Sequence, residues 1–321
     1  MPHAIATDVS VSCPPSATAP SGQLSAAIGV ARVVCIVSIV YVHAWTGLNG
    51  RDLAAASGTP QGVLRWMLVE LFGRGSVPLL GMISGYLVMS SARKGPWISF
   101  LARKARTILA PMVLWNALAI LFVCGAAYLG VLEAPLPRSW WWTVNELLCL
   151  ATPDDINVQI AFLRDLFGCM AMAPLLSRLP KPWLLACAAG ALAWMISGLS
   201  CPLLLRPSIL CFFILGMLAR SGGVAERVAT LPITMTAAPY ILIAGLRITL
   251  AARGVDIGAA HPWQLVGLDV LMRFAAAIFF WSMAWRLASS RVAESVLRIE
   301  AYAFLMFCGH LIMIWLGGPL I

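Results

Sequence analysis

Charged residues are scarce in this sequence. Only 11% of the 321 residues are Asp, Glu, Lys or Arg, whereas 61% are hydrophobic and the mean hydropathy is +0.89. Soluble domains carry about 25% charged residues, so this composition excludes an ordinary soluble domain. Several apolar runs are long enough to cross a bilayer as helices. The sequence therefore predicts an all-α polytopic integral membrane protein folded as a single bundle.

The motifs of soluble enzymes are also missing. The sequence contains no phosphate-binding P-loop, no G-x-G-x-x-G and no H-E-x-x-H. GMISG puts Ser84 one position too late for the G-x-S-x-G nucleophile elbow. The nine cysteines are scattered without a C-x-x-C pair, so we expect neither a metal site nor a disulfide framework. No internal repeat is visible, so the inverted-repeat signature of many transporters is absent.

Basic residues outnumber acidic ones, 22 to 13. No aromatic–basic binding motif accompanies this excess, so nucleic acid is not an expected partner. The most basic segment, 93–106, has five basic residues and no acidic residue. Because cytoplasmic loops of membrane proteins are rich in Lys and Arg, this segment is predicted to lie in the cytoplasm.

The apolar runs predict nine spans with a cytoplasmic N-terminus and an external C-terminus. Two further stretches, 61–73 and 140–152, are candidate re-entrant helices. Residues 1–25 are polar and Pro-rich and predict a disordered cytoplasmic tail before a transmembrane domain over 26–321. Pro78 and three glycines predict that the second span is not a regular helix. The predicted spans are 26–48, 73–91, 107–130, 159–178, 183–199, 206–220, 231–251, 264–286 and 301–318.

The first span carries two ionisable residues, Arg32 and His43. Ionisable groups at membrane depth are costly and usually functional. Eleven residues at about 100° each bring the two side chains to nearly the same helix face, about 16 Å apart along the axis. The alternative is a packing role, with Arg32 reaching lipid headgroups.

Four other polar residues lie in predicted spans: Ser84, Tyr86, Arg164 and Asp165. Neighbouring helical residues point about 100° apart, so Arg164 and Asp165 are predicted not to pair with each other. Each then needs a partner elsewhere, in a polar network that either supports a site or is purely structural.

Several segments, taken in order, resemble the membrane acyltransferase 3 family, the bacterial O-acyltransferases that decorate surface glycans. The resemblance covers most of residues 26–316. Its first motif is R-x10-H, formed here by Arg32 and His43, and Ala161 stands where an aromatic residue is common. Members usually have ten spans with both termini in the cytoplasm, so ten is the alternative to nine. The remaining similar segments are VPLLGMISGYLV, RKARTILAPMVLW, AFLRDLFGCMAMAPLL and AYAFLMFCGHLIMIW.

The resemblance implies a multi-pass transferase of the bacterial inner membrane, acting on groups other than aminoacyl groups. It would move an acyl group, most simply acetyl, from cytoplasmic acyl-coenzyme A to a hydroxyl of an exported or cell-surface glycan. Acyl-coenzyme A would be a co-substrate, and no permanently bound cofactor is expected. Its partners would be this donor, a glycan or lipid-linked sugar, the lipid bilayer and other polysaccharide-synthesis proteins.

The resemblance also implies residue roles. His43 would be the general base or a transient acyl carrier, and Arg32 would hold a donor phosphate or carboxylate or orient a partner of His43. Arg103 and Arg106 would bind the coenzyme A phosphates, unless they act only as a topology signal. Ser84, Gly85 and Tyr86 would line the cavity for the acyl arm or pack helices together, and His310 would be a cavity or interface residue.

Two other functions fit the same residues. A transporter of a small anionic or acylated molecule would use Arg32 and His43 for binding or proton relay. A non-catalytic membrane subunit of a polysaccharide-synthesis complex would need neither residue for its function.

Overall fold

The computed structural model describes residues 22–44, 59–60, 64, 72–152, 155–199, 201, 204–252 and 263–318. Within them the regular structure is helical, apart from an isolated bridge between Cys201 and Leu204. The predicted all-α class is confirmed for these residues. In chain order the helices are α1 (Gly22–His43), α2 (Arg74–Ser91), α3 (Trp97–Tyr128), α4 (Trp140–Leu148), α5 (Ala161–Leu176), α6 (Lys181–Ser197), α7 (Pro207–Gly222), α8 (Val224–Thr230), α9 (Ile233–Ala252), α10 (Trp263–Ala288) and α11 (Ala293–Gly317).

Five of the described helices are long and apolar enough to cross a membrane. They are α1, α3 and α11 together with most of α9 and α10. A sixth arises if α7 and α8, which meet at a bend of 85°, count as one broken span. Helices α2 and α6 are apolar but shorter. A multi-pass membrane protein is supported, whereas the count of nine or ten spans is not confirmed.

Helix α1 begins four residues before the predicted span. Gly22–Ser25 are helical because Leu24 is buried in an apolar cluster that includes Ala284 of α10. The remainder of the predicted tail, residues 1–21, lies outside the described residues. The helix ends at His43, so the last described turn of α1 carries the ionisable side chain that the sequence singled out.

Helices α1 and α2 lie between two apolar clusters. In the first cluster, one face of each of these two helices packs against α3, α5, α6, α7 and α11. The other joins their opposite faces to α9 and α10. An apolar stripe on one side is typical of a surface helix, and apolar residues all round indicate a buried one. Two faces of the first span therefore pack against other helices, whereas the surface at Val37 is exposed.

The close crossing of α2 and α7 corrects one expectation. Helix α2 is regular throughout, although Pro78 and three glycines predicted otherwise. Pro78 lies inside the helix, at its fifth residue, and removes one internal hydrogen bond without ending the helix. Gly85 touches the backbone of Phe213, and Gly216 of α7 touches the backbone of Met82. The glycines thus bring two helix backbones together, which is the packing role of small residues in membrane helices.

Helix α3 begins at Trp97, ten residues before the predicted span, so Arg103 and Arg106 are helical. Pro111 cannot donate a hydrogen bond, and the turn before it widens into a π-segment in which the Ala110 N–H reaches the Ala105 carbonyl.

The reciprocal glycine contact predicts a specific loss of stability. A methyl group at Gly85 or Gly216 would overlap a carbonyl oxygen of the other helix, and overpacking costs about 1–3 kcal/mol. We expect Gly85→Ala and Gly216→Ala each to lower the free energy of unfolding in detergent by at least this amount. Gly245→Ala in α9 is the control, because an added methyl group meets nothing within 4 Å there. Equal stability of all three variants would contradict the crossing.

Candidate active site

Two histidines meet between the end of α1 and the middle of α11. The ring centroids of His43 and His310 lie 5.5 Å apart, with the rings tilted by 42°. His310 is buried, with 6% of its surface exposed. Gly309 allows Trp115 of α3 to pack against α11 at this level, because a Cβ atom added at Gly309 would lie only 3.0 Å from the Trp115 ring. The pair therefore lies inside the protein, although its members are 267 residues apart in sequence.

The hydrogen bonds of His310 determine its tautomer. Its Nδ1 lies 3.1 Å from the Met306 carbonyl and 2.9 Å from the Phe307 carbonyl. A carbonyl oxygen only accepts hydrogen bonds, so Nδ1 carries the proton. In the neutral ring Nε2 is then an acceptor, and this buried atom has no hydrogen-bond partner among the described residues. One imidazole able to take up a proton thus lies beside His43.

A cavity of about 120 Å³ adjoins His43. Its polar lining residues are His43, Gln159 and Arg206, and the other lining residues, Phe162 and Phe307 among them, are apolar. A volume of this size holds several water molecules. A small polar group can therefore reach the imidazole inside an otherwise apolar pocket.

Asp165 positions Arg206 at this cavity. Asp165 is fully buried, and its carboxylate accepts hydrogen bonds from the backbone N–H groups of Leu205 and Arg206 at 3.0 and 2.9 Å. Since the first N–H groups of a helix lack internal partners, this carboxylate stabilises the start of α7. The Arg206 side chain in turn donates to the Val158 carbonyl at 3.2 Å.

Arg164 pairs with Asp165 after all. Its Nη1 lies 2.7 Å from the Asp165 carboxylate, so the prediction that these neighbours do not pair was wrong. The 100° between adjacent residues describes the Cα–Cβ bonds, and the long arginine side chain bends back across that angle. Asp165 also has the distant partners that the sequence led us to expect, Leu205 and Arg206.

A chain of buried side-chain amides approaches the cavity from α3. Asn116 donates to the Leu147 carbonyl at 3.4 Å, and Asn157 donates to the Asn116 side-chain oxygen at 3.1 Å. Gln159 donates to the Asn157 side-chain oxygen and, at 3.5 Å, to the Phe307 carbonyl. All three amide residues are at most 4% exposed.

Arg32 and His43 do not meet. Arg32 forms an ion pair with Glu300 of α11 at 3.0 Å, and both side chains are partly exposed. Eleven residues of helix separate it from His43, about 16 Å along the axis. Both ionisable residues of α1 thus contact α11, through separate partners.

Ser84 and Tyr86 point to different surroundings. Ser84 donates to the Leu80 carbonyl of its own helix at 2.8 Å. Tyr86 donates to Glu226 of α8 at 3.2 Å, and the guanidinium of Arg220 lies 4.9 Å from its ring centroid. Tyr86 also lines an apolar cavity of about 290 Å³ between α1, α2, α6, α7, α8 and α10. The cavity at His43 and this larger cavity share no lining residue.

Arg103 and Arg106 are exposed on α3. Neither forms an ion pair with a described residue. Their positive charges are therefore available to a ligand or to lipid headgroups.

Two cavity residues, Arg206 and Gln159, were missed from the sequence, and the contact of His310 with His43 was not predicted. Arg206 directly precedes Pro207 at the start of a predicted span, a signal that could have been used. Gln159, at the edge of another span, gave no signal of its own. His310 was expected to be a cavity or interface residue, but its contact with His43 depends on a pairing of distant helices that a single sequence does not reveal.

Comparisons with known proteins identify relatives. The family model described as "Acyltransferase domain" matches residues 25–321. The succinoglycan biosynthesis protein ExoH of Rhizobium meliloti (strain 1021) is 30% identical over 320 residues, which covers 92% of this chain and 80% of that protein. No solved structure matches significantly.

Proposed function

This chain belongs to the acyltransferase domain family and is an acyltransferase, and we propose that it O-acylates a glycan at the bacterial inner membrane. The donor would be cytoplasmic acyl-coenzyme A, most simply acetyl-coenzyme A. The acceptor would be a sugar hydroxyl of an exported or cell-surface polysaccharide. The relative ExoH is named for succinoglycan biosynthesis, which supports a polysaccharide acceptor.

The observation that carries the proposal is the histidine pair beside a polar-lined cavity. An imidazole suits general-base catalysis because its pKa in water lies near neutrality. His43 lines the cavity, so a hydroxyl there can approach its ring. His310 lies in contact with it, and the acceptor nitrogen of His310 has no hydrogen-bond partner in the part of the chain that the structure describes.

The proposed reaction moves one proton and one acyl group. His43 removes the proton from the sugar hydroxyl while its oxygen attacks the thioester carbonyl. The new C–O ester bond forms, the C–S bond breaks, and coenzyme A leaves as a thiolate. His310 shares the proton at Nε2 while charge develops, and the pair then returns the proton to the sulfur. Arg206 supplies positive charge beside the reacting oxygen, as preorganised cations do in acyl transfer.

On the donor side, we propose that Arg103 and Arg106 bind the coenzyme A phosphates. Guanidinium groups bind phosphates through strong, charge-assisted hydrogen bonds, and both are exposed and lack an ion-pair partner among the described residues. Tyr86 lines an apolar cavity that suits an acyl or pantetheine chain. Because this cavity shares no lining residue with the one at His43, the acyl group would have to move from it to the His43 cavity before transfer. The proposed role of Arg32 is to tie α1 to α11 through Glu300 and thereby orient the helix that carries His43.

The directions of α1 and α11 support the proposed topology. Arg32 contacts Glu300, and farther along both helices His43 contacts His310. The two helices therefore run parallel, which requires an odd number of spans from α1 through α11. The nine predicted spans satisfy this requirement.

The first prediction of this mechanism concerns the base. We expect His43→Gln to lower the rate of acyl transfer by at least about 10²–10⁴-fold, the usual contribution of a general base, while donor binding persists. The measurement is acyl transfer from acetyl-coenzyme A to glycan by the purified protein in liposomes. Val37→Ala, at an exposed position of α1, is the control and should keep wild-type activity. A His43→Gln protein with most of its activity would remove His43 from the mechanism.

A second prediction concerns the donor. Arg103→Ala and Arg106→Ala should each weaken acetyl-coenzyme A binding about tenfold to a hundredfold, because hydrogen bonds to charged groups contribute about 1.5–3 kcal/mol. Lysine at either position should restore binding only in part, since it lacks the guanidinium fork. Arg291→Ala, at an exposed arginine between α10 and α11, should bind normally. Unchanged binding by the Arg103/Arg106 double variant would exclude this role.

A further inference from the structure

The amide chain that ends at Gln159 has only one possible orientation. At one end, Asn116 faces the Leu147 carbonyl, which only accepts, so the side-chain nitrogen of Asn116 points toward it. The Asn116 oxygen then accepts from Asn157, whose own oxygen accepts from Gln159. At the other end, the Gln159 nitrogen also faces the Phe307 carbonyl. Reversing any amide would place oxygen against oxygen.

In this orientation the Gln159 side-chain oxygen takes no part in the amide chain. With the Gln159 nitrogen committed to Asn157 and Phe307, the amide oxygen remains as an acceptor. It is buried and has no hydrogen-bond partner among the described residues. Gln159 itself is 4% exposed. Leaving a buried acceptor without a hydrogen bond is unfavourable, so this amide oxygen is a candidate group for binding a ligand.

The position of Gln159 indicates what the oxygen binds. Gln159 and His43 line the same cavity, where His43 is the proposed base for the reacting hydroxyl. A sugar presents hydroxyl groups on adjacent carbons, and each can donate a hydrogen bond. We infer that the Gln159 amide oxygen accepts a hydrogen bond from a second hydroxyl of the acceptor sugar, next to the one that is acylated. This inference rests on the proposed function.

The consequence is positional selectivity. When Gln159 binds one hydroxyl and His43 binds the adjacent hydroxyl, the sugar has a single orientation in the cavity. Only one of its positions is then acylated. Sites that hydrogen-bond a substrate hydroxyl reject alternatives because the buried polar group is otherwise unpaired. Gln159 is therefore a specificity residue for the acceptor, and it has no role in binding the donor.

The test uses the full chain in liposomes with acetyl-coenzyme A and, as acceptor, glycan isolated from a strain lacking the gene. For Gln159→Met we expect kcat/KM for the glycan to fall roughly tenfold to a hundredfold, the range for leaving out one such hydrogen bond. The KM for acetyl-coenzyme A should not change. The product, analysed by NMR, should carry acyl groups at more than one position.

Asn116→Ala is the matched control, because it breaks the same amide chain at the end away from the cavity. It should lose stability but acylate the wild-type position. If Gln159→Met does not fold, Gln159→Asn withdraws the oxygen by one methylene group and should show the same selective loss.

Three results would overturn the inference: wild-type kinetics and a single product from the Gln159 variants, an equal loss toward donor and acceptor, or the same mixed product from Asn116→Ala. Absence of acyl transfer by the wild-type protein would instead reject the proposed function itself.

Discussion

Two polar contacts between α1 and α11 set the geometry on which the candidate site depends. Arg32 meets Glu300 at one level, and His43 meets His310 farther along the same two helices. Polar groups within a membrane protein must find partners inside the fold, so each contact restricts how α1 can slide or rotate against α11. The second contact also brings together the two side chains that the proposed chemistry needs.

The surrounding helices hold this arrangement from two sides. The glycine crossing brings the backbones of α2 and α7 into contact. Asp165 of α5 then binds the backbone N–H groups of Leu205 and Arg206, directly before α7, and so places Arg206 at the cavity. Because Asp165 acts through α7, its replacement would disturb the site without touching substrate.

Local sequence patterns predicted the helices and one face of α1, because helical periodicity relates residues within a single element. They located Arg32 and His43 on one stripe of α1. They did not predict Glu300 as the partner of Arg32 or His310 as the partner of His43, since both contacts join the two ends of the chain. The pairing of Arg164 with Asp165 was missed because side-chain length was not considered.

The central claim is that this protein adds an acyl group to a glycan through His43. It is tested most directly by the mass of the glycan made by a strain that lacks the gene. The account predicts a glycan lighter than the parent's by an acyl group, restored by the wild-type gene and not by the His43→Gln gene. A glycan of unchanged mass in the deletion strain, or full restoration by the His43→Gln gene, would contradict it.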